Sequence, residues 1–182
     1  MKKSLKKAGF TLIELIIAVS IIASVVGIFL ANYYGSEPQS QLINATSALM
    51  RDLRLAQTRG VANLSYGSDI PSGWGIYLTA SSTSYTLFAD VDGDKVYDNP
   101  SESLVVKGAR EINLPPGVTI SAIDLESPIT IIFYNYYDLL RTAIVRSSPG
   151  VLAPVEITLT EENTEASKHV YVSPFGLIYS DL

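Results

Sequence analysis

The first constraint on the fold is a long apolar run near the N-terminus that contains one acidic residue. The run covers residues 10–31, 22 positions in all, and its clearly polar members are Thr11, Glu14, Ser20 and Ser24. A helix of this length, at about 1.5 Å per residue, crosses the hydrocarbon core of a bilayer. With 182 residues and 47% apolar side chains, the sequence predicts one membrane helix followed by one packed domain.

Positive charge before the run predicts its orientation. Four lysines lie ahead of it, at positions 2, 3, 6 and 7, and the positive-inside rule keeps such a cluster in the cytoplasm, so everything after residue 31 is exported. A secretory signal has an apolar stretch of about 7–15 residues and then a small-residue cleavage site. Here the small pair Ala8-Gly9 comes first, so cleavage after Gly9 would leave the helix on the mature protein.

Glu14 needs a partner or water. A carboxylate in the hydrocarbon core costs about 2.5–3.5 kcal/mol on insertion scales. Cleavage after Gly9 would create an amine at Phe10, one helical turn from Glu14. Pairing within one chain and pairing between neighbouring chains both remain open, and the alternative is a Glu14 solvated at the cytoplasmic interface.

A second helical segment follows a breaker sequence. Gly35-Ser36-Glu37-Pro38 predicts a kink or short break near Glu37. Apolar residues then recur at three- and four-residue steps, which predicts an amphipathic helix that ends near Gly60; they are Leu42, Ala45, Leu49, Leu53 and Ala56. We interpret this stripe as packing on the domain's own sheet, and contact between filament subunits is the alternative.

The remainder of the chain has the pattern of short strands. Turn residues separate the β-branched or aromatic runs at intervals of about 10 residues, and the predicted strands are 75–79, 85–89, 104–106, 118–120, 129–134, 142–145, 155–159 and 169–172. Such spacing favours an antiparallel sandwich or rolled sheet. The predicted fold class is therefore α+β, with a long N-terminal helix packed on that sheet.

The stretch Ala8-Gly9-Phe10-Thr11-Leu12-Ile13-Glu14-Leu15 resembles the class III signal of bacterial type IV pilins and type II secretion pseudopilins. In that family prepilin peptidase cuts after the glycine and methylates the new N-terminus. The resemblance implies that Gly9 and Phe10 flank the processed bond. It also implies that Glu14 becomes the fifth mature residue, which pairs with the N-terminal amine of a neighbouring subunit during filament assembly.

Residues 49–60 and the order of the predicted strands resemble the H-type minor pseudopilins. The resemblance implies a pilin-like fold with a leader at 1–9, a membrane and filament-core helix at 10–34, an amphipathic continuation at 35–62 and a globular β domain at 63–182. Implied partners are other pseudopilins or pilins, prepilin peptidase, an inner-membrane assembly platform, and bilayer lipid before assembly. The implied location is the bacterial inner membrane and then a periplasmic pseudopilus or surface pilus. A minor type IV pilin with a tip adhesion or DNA-uptake role is the alternative.

Charge and cysteine content exclude several classes of function. Without the four leader lysines, nine basic side chains remain against 18 acidic ones, a balance that repels a phosphate backbone and argues against a nucleic-acid partner. The absence of cysteine excludes disulfides, a lipobox anchor and thiolate metal sites.

An acidic segment is the candidate metal site, and calcium is the only cofactor that the sequence suggests. Its carboxylates alternate along the chain as Asp90, Asp92, Asp94 and Asp98, and hard oxygen ligands suit Ca²⁺. The EF-hand pattern fails because Gly93 stands at the fourth position rather than the sixth and Glu102 comes one residue late. The alternative is a β-turn in which Asp-Gly supplies the positive φ.

Catalytic patterns are missing from the sequence. The single histidine, His169, lies on a predicted strand without a neighbouring motif, and the chain contains no nucleophile elbow, phosphate loop or zinc pattern. We therefore expect a protein that is not an enzyme and has no catalytic residues. We expect Trp74 and the tyrosines to pack in the core or across strands, since strands favour aromatic residues.

Overall fold

A computed structural model describes residues 10–65, 70–97, 110–125, 127–136, 139–146 and 154–181, without the side chains of 31–37, 135–136 and 139–146. The chain divides into two compact units between Glu37 and Pro38. The first unit contains the apolar part of the N-terminal helix, and the second contains the rest of that helix and all the strands.

One helix, α1, runs from Leu12 to Val61. The predicted end near Gly60 is confirmed. Of the predicted kink or short break near Glu37, the break is wrong, because α1 stays helical through residues 35–38 with Pro38 inside it, and the kink stays a prediction. A proline removes one backbone hydrogen bond and crowds the preceding turn, which is a local cost. Long helical sequences on both sides add one hydrogen bond per residue and outweigh it.

The first unit presents an apolar surface. Its segment Leu12–Leu30 has a mean hydropathy of 2.7 and is long enough to cross a membrane, and its large apolar side chains are exposed. Two hydroxyls within it satisfy themselves inside the helix: Ser20 Oγ donates to Ile16 O and Ser24 Oγ donates to Ser20 O, both at 2.8 Å. Internal bonding of this kind suits a surrounding without water.

The strands of the second unit form two antiparallel sheets. They are β1 (Gly73–Leu78), β2 (Ser84–Asp90), β3 (Arg110–Asn113), β4 (Val118–Ile123), β5 (Ile129–Tyr136), β6 (Leu139–Arg146), β7 (Val155–Glu161), β8 (Ser167–Val172) and β9 (Ile178–Ser180). The five-stranded sheet has the order β3-β2-β1-β5-β6, and the four-stranded sheet has the order β4-β7-β8-β9. Every pair of neighbouring strands is antiparallel.

The second half of α1 and both sheets share one core. The five apolar residues of the predicted stripe, from Leu42 to Ala56, are all buried in it. They meet alternating apolar residues of β1, β5, β7 and β8, among them Ile76, Ile131, Ile157 and Val170. The prediction that this stripe packs on the domain's own sheet is therefore confirmed, as is the α+β fold class.

Seven of the predicted strands match observed ones, and the eighth, at 104–106, lies outside the described residues. Two observed strands were not predicted. Edge strand β3 is mostly exposed and polar, and edge strand β9 has only three residues. Neither offers the run of buried β-branched residues on which the prediction depends.

Candidate functional site

The N-terminus of α1 is closed by a reciprocal contact between Thr11 and Glu14. Thr11 precedes the first helical residue, and its backbone N–H and its hydroxyl both donate to Glu14 Oε2, at 2.9 Å and 2.7 Å. The N–H of Glu14 in turn lies 3.4 Å from Thr11 Oγ1. This is a capping box, in which a Thr and a Glu three residues apart satisfy each other's free backbone donors.

The capping box was missed by the sequence analysis, although the Thr-x-x-Glu spacing is its known signal. In the uncleaved chain the Glu14 carboxylate is exposed and has a hydrogen-bond partner one turn away, so solvation at the interface and pairing with an amine both stay predictions. Phe10 is 89% exposed beside it, and Gly9 lies outside the described residues. The nitrogen of Phe10 is a peptide nitrogen here, so the predicted amine pairing stays a prediction.

This N-terminal segment is also where the chain resembles known proteins. Residues 4–30 match the prokaryotic N-terminal methylation motif. The motif indicates a type IV pilin-like precursor that is cleaved by prepilin peptidase and that assembles with pilin-type partners. Together with the apolar helix, it indicates anchoring in the inner membrane by a single helix. Comparisons with curated proteins and with solved structures gave no match.

The acidic segment brings three of its four predicted residues together. Carboxylate oxygens of Asp90, Asp92 and Asp94 all lie within 4.8 Å of one another. Asp90 is the last residue of β2 and is fully buried, whereas Asp92 and Asp94 are exposed. Asp98 lies outside the described residues. We call the three aspartates the acidic cluster.

Asp90 is the unusual member of the acidic cluster. Its Oδ1 accepts a 2.8 Å hydrogen bond from the N–H of Gly93, while its Oδ2 is buried without a hydrogen-bond partner in the part of the chain that the structure describes. Burial, together with the neighbouring Asp92, raises the pKa of Asp90 to about 6, against the opposing effect of the backbone N–H groups of Gly93 and Lys95. The described hydrogen bonds therefore offset only part of the free-energy cost of burying this carboxylate.

The loop that carries the cluster has the turn geometry that the sequence analysis gave as the alternative to a metal site. Asp92 Oδ1 accepts from the N–H of Asp94 at 3.2 Å, and Asp94 Oδ1 accepts from the N–H of Val96 at 2.8 Å. Gly93 has φ of 86°, a conformation that glycine adopts without a steric cost. The turn and a metal site are compatible. Each oxygen that accepts a hydrogen bond keeps a second lone pair for a metal ion, and each carboxylate has a second oxygen.

Aromatic contacts anchor the loop on the five-stranded sheet. The Tyr97 ring lies 4.9 Å from that of Tyr77 and 5.3 Å from that of Phe88, measured between centroids. Lys95 Nζ lies 4.6 Å from the centroid of Tyr134. The loop thus closes over one face of the sheet, and its lysine is directed toward an aromatic ring.

His169 has local partners on the outer side of the four-stranded sheet. Its Nδ1 lies 2.7 Å from Glu156 Oε1 and 3.2 Å from Thr158 Oγ1, and its Nε2 lies 4.0 Å from Asp181 Oδ2. These are contacts across neighbouring strands, and no serine or lysine side chain is among the described contacts of the ring. The expectation that the chain is not an enzyme stays a prediction.

Trp74 is a core residue, as expected. It is 3% exposed, and its Nε1 donates a 3.1 Å hydrogen bond to Leu64 O. The Arg59 guanidinium lies 4.6 Å from the centroid of the ring. Because the indole is enclosed and its N–H is satisfied, Trp74 supports the junction between α1 and β1.

Proposed function

We propose that the chain is a structural subunit, an H-type minor pseudopilin of a type II secretion pseudopilus, which enters the filament through its N-terminal helix. The proposal depends on one observation, the methylation motif at residues 4–30, which continues into a helix whose large apolar side chains are exposed. Exposed apolar surface on this scale requires lipid or other apolar helices as its partner. In this proposal the globular unit lies outside the cytoplasm, because the lysines precede the helix.

The cleavage step supplies the charge that assembly uses. Hydrolysis of the Gly9–Phe10 bond converts the nitrogen of Phe10 from an amide into an amine, which methylation leaves basic. Both described hydrogen bonds from Thr11 end on Glu14 Oε2. Among the described residues Oε1 has no hydrogen-bond donor, so it is available to an amine of the same chain or of a neighbouring chain while the capping box stays closed.

Glu14→Ala and Glu14→Gln test this role. We expect both variants to be cleaved and methylated normally, because the peptidase acts four residues earlier, and to be lost from filaments. Mass spectrometry of the N-terminal peptide measures processing, and the variant's content in sheared filaments measures incorporation. Thr11→Val is the matched control: it weakens the capping box, keeps the Glu14 charge and is expected to incorporate.

The Glu14→Gln variant decides between charge and helix capping. Its amide oxygen still accepts hydrogen bonds from Thr11, so the cap is kept while the ion pair is lost. Normal filament content of this variant would contradict the proposed pairing. Loss of Thr11→Val together with normal Glu14→Gln would assign the effect to the cap.

Neighbouring genes distinguish the pseudopilin from the alternative minor type IV pilin. A secretin with other pseudopilins supports type II secretion, and a retraction motor with a major pilin supports the alternative. A salt-dependent gel shift with the purified full chain tests the DNA-uptake role, for which the acidic net charge predicts no binding.

A further inference from the structure

We propose that Asp90, Asp92 and Asp94 form a calcium-binding site at the end of β2. This goes beyond the proposed filament role. The cluster offers the ligands that Ca²⁺ prefers, and their oxygens lie within 4.8 Å of one another. Calcium binds oxygen at about 2.3–2.6 Å, so two oxygens on one ion lie up to about 5 Å apart.

The buried carboxylate is the second observation that indicates an ion. Gly93 N–H occupies Asp90 Oδ1, and Oδ2 has no hydrogen-bond partner among the described residues although it is inaccessible to solvent. A buried polar oxygen without a partner is costly, and more so when it carries charge. A cation between Asp90 and its two acidic neighbours would give this oxygen its missing partner.

Within the described residues, no cation neutralises the cluster. Lys95 is within the loop, but its ammonium lies over the Tyr134 ring. The ion pairs found in the described part of the chain involve Asp52, Glu156 and Asp181, and none reaches these three aspartates. Three carboxylates within a few ångströms repel one another strongly. A divalent cation between them would offset this repulsion by attracting all three.

Accessibility and conformation also suit an ion. Asp92 and Asp94 are exposed, so an ion can enter from solvent and complete its shell of six to eight oxygens with water. Gly93, between the two exposed aspartates, has φ of 86°, which glycine adopts without a steric cost, and a Cβ built on it would lie 3.0 Å from Ser72 Oγ. With three protein carboxylates and the rest water, we expect the weak affinity of extracellular calcium modules, a Kd of about 10⁻⁴–10⁻³ M.

The test uses the full chain, purified in detergent and freed of metal with a chelator. Calorimetry with CaCl₂ is expected to show one ion per chain, and the Tm is expected to rise by several degrees at about 10 mM Ca²⁺, because the ion binds the folded state. Mg²⁺ at the same concentration is expected to act more weakly, since it loses its water reluctantly. Absence of both heat and Tm shift, or an equal response to Mg²⁺, would overturn the calcium assignment.

Substitutions within the cluster locate the site. Asp92→Asn and Asp94→Asn keep the oxygens that accept from Asp94 N–H and Val96 N–H, so the turn is expected to persist, and we expect a loss of at least tenfold in calcium affinity. Glu162→Gln removes one exposed carboxylate from the β7–β8 turn and is the matched control with normal binding. Unchanged affinity in both aspartate variants would overturn the site.

Asp90→Asn separates metal binding from ordinary folding. Its amide keeps an acceptor for Gly93 N–H and places a donor where the unpartnered oxygen was. Without metal this variant is expected to be at least as stable as the wild-type chain, and calcium is expected to leave its Tm unchanged. A normal calcium response of Asp90→Asn would contradict the proposal.

Discussion

The hydroxyl of Tyr85, on β2, donates a 2.8 Å hydrogen bond to Oδ2 of Asp52, on α1, inside the shared core. The other carboxylate oxygen of Asp52 accepts from Nε of the exposed Arg51 at 3.1 Å. Burial and the adjacent Asp52 carboxylate hold the pKa of Tyr85 well above its usual range. Since a buried carboxylate requires such donors, this contact fixes which face of the helix meets the five-stranded sheet.

Tyr85→Phe is expected to destabilise the globular unit by about 1.5–3 kcal/mol, because it removes a hydrogen bond to a buried charged group and leaves the ring in place. The corresponding fall in Tm is about 3–12 °C for a chain of this size. Thermal unfolding followed by the fluorescence of Trp74, the single tryptophan, measures it. Tyr179→Phe is the control, since its ring stacks on Tyr171 at 5.0 Å and is about half exposed; equal losses in both variants would contradict the role of the bond.

Gly60→Ala is expected to destabilise the fold although alanine is the better helix former. A Cβ at Gly60 would overlap the backbone carbonyl of Phe133, which cannot move without shifting β5. The gain in helix propensity is about 1 kcal/mol, whereas overpacking costs about 1–3 kcal/mol or more. The net effect of the substitution is therefore expected to be a loss of stability. The same unfolding assay measures it, and Gly27→Ala, with nothing within 4 Å, is expected to leave the transition unchanged.

Glu161 is expected to make stability fall in acid. It is 1% exposed and accepts hydrogen bonds from the backbone and side chains of Asn163 and Thr164, at distances of 2.8–3.1 Å. Burial alone would raise the pKa of Glu161, but these hydrogen bonds hold it below its ordinary value of 4.5. A lowered pKa means that the stabilisation is present above 4.5 and is lost as the pH falls through the lower folded-state value.

Denaturant unfolding of Glu161→Gln at several pH values tests this contribution. We expect the variant to be less stable at neutral pH and to lose less stability than the wild-type chain as the pH falls below 4.5. Glu162→Gln removes the same charge from an exposed neighbour, and its pH profile is expected to follow the wild type. Parallel profiles for Glu161→Gln and the wild type would contradict the prediction.

Gln57→Ala is expected to loosen the turn before β9. Gln57 Nε2 donates a 2.7 Å hydrogen bond to Gly176 O. Within the turn, Ser173 and Leu177 are hydrogen-bonded to each other, and the N–H of Gly176 donates to Ser173 O. Loss of about 1 kcal/mol corresponds to about fivefold faster hydrogen exchange of the amides at 176–177. Gln39→Ala, an exposed position on the same helix, is the control, and equal exchange in both variants would count against the contact.

The sequence predicted the fold best where the local pattern of apolar residues is enough to determine the type of element. Short runs of β-branched and aromatic residues predicted β5 and β7, and the spacing of Leu42, Leu49 and Leu53 predicted the buried face of α1. The short break near Glu37 was predicted from the local effect of Pro38, which the helical sequences on both sides outweigh. The Tyr85–Asp52 contact joins residues 33 positions apart, and one sequence offers no signal for such a pairing.

The candidate sites were also predicted only in part. Alternation placed Asp90, Asp92 and Asp94 close together, but only the sheet register shows that Asp90 is buried while its neighbours are exposed. The Thr11–Glu14 contact was readable from spacing alone. It was missed because a carboxylate in an apolar run suggests a membrane role before a helix cap.

The antiparallel register of β1 and β2 gives the acidic cluster a spectroscopic use. Asp90 pairs with Gly73, so the cluster lies one residue along the ladder from the pairing of Trp74 with Ala89, and the ring of Tyr97 belongs to the same loop. Cross-strand neighbours lie about 5 Å apart. A terbium ion in place of calcium would therefore be close enough to collect excitation energy from these rings, and its green luminescence would report occupancy of the loop in the intact membrane-anchored protein.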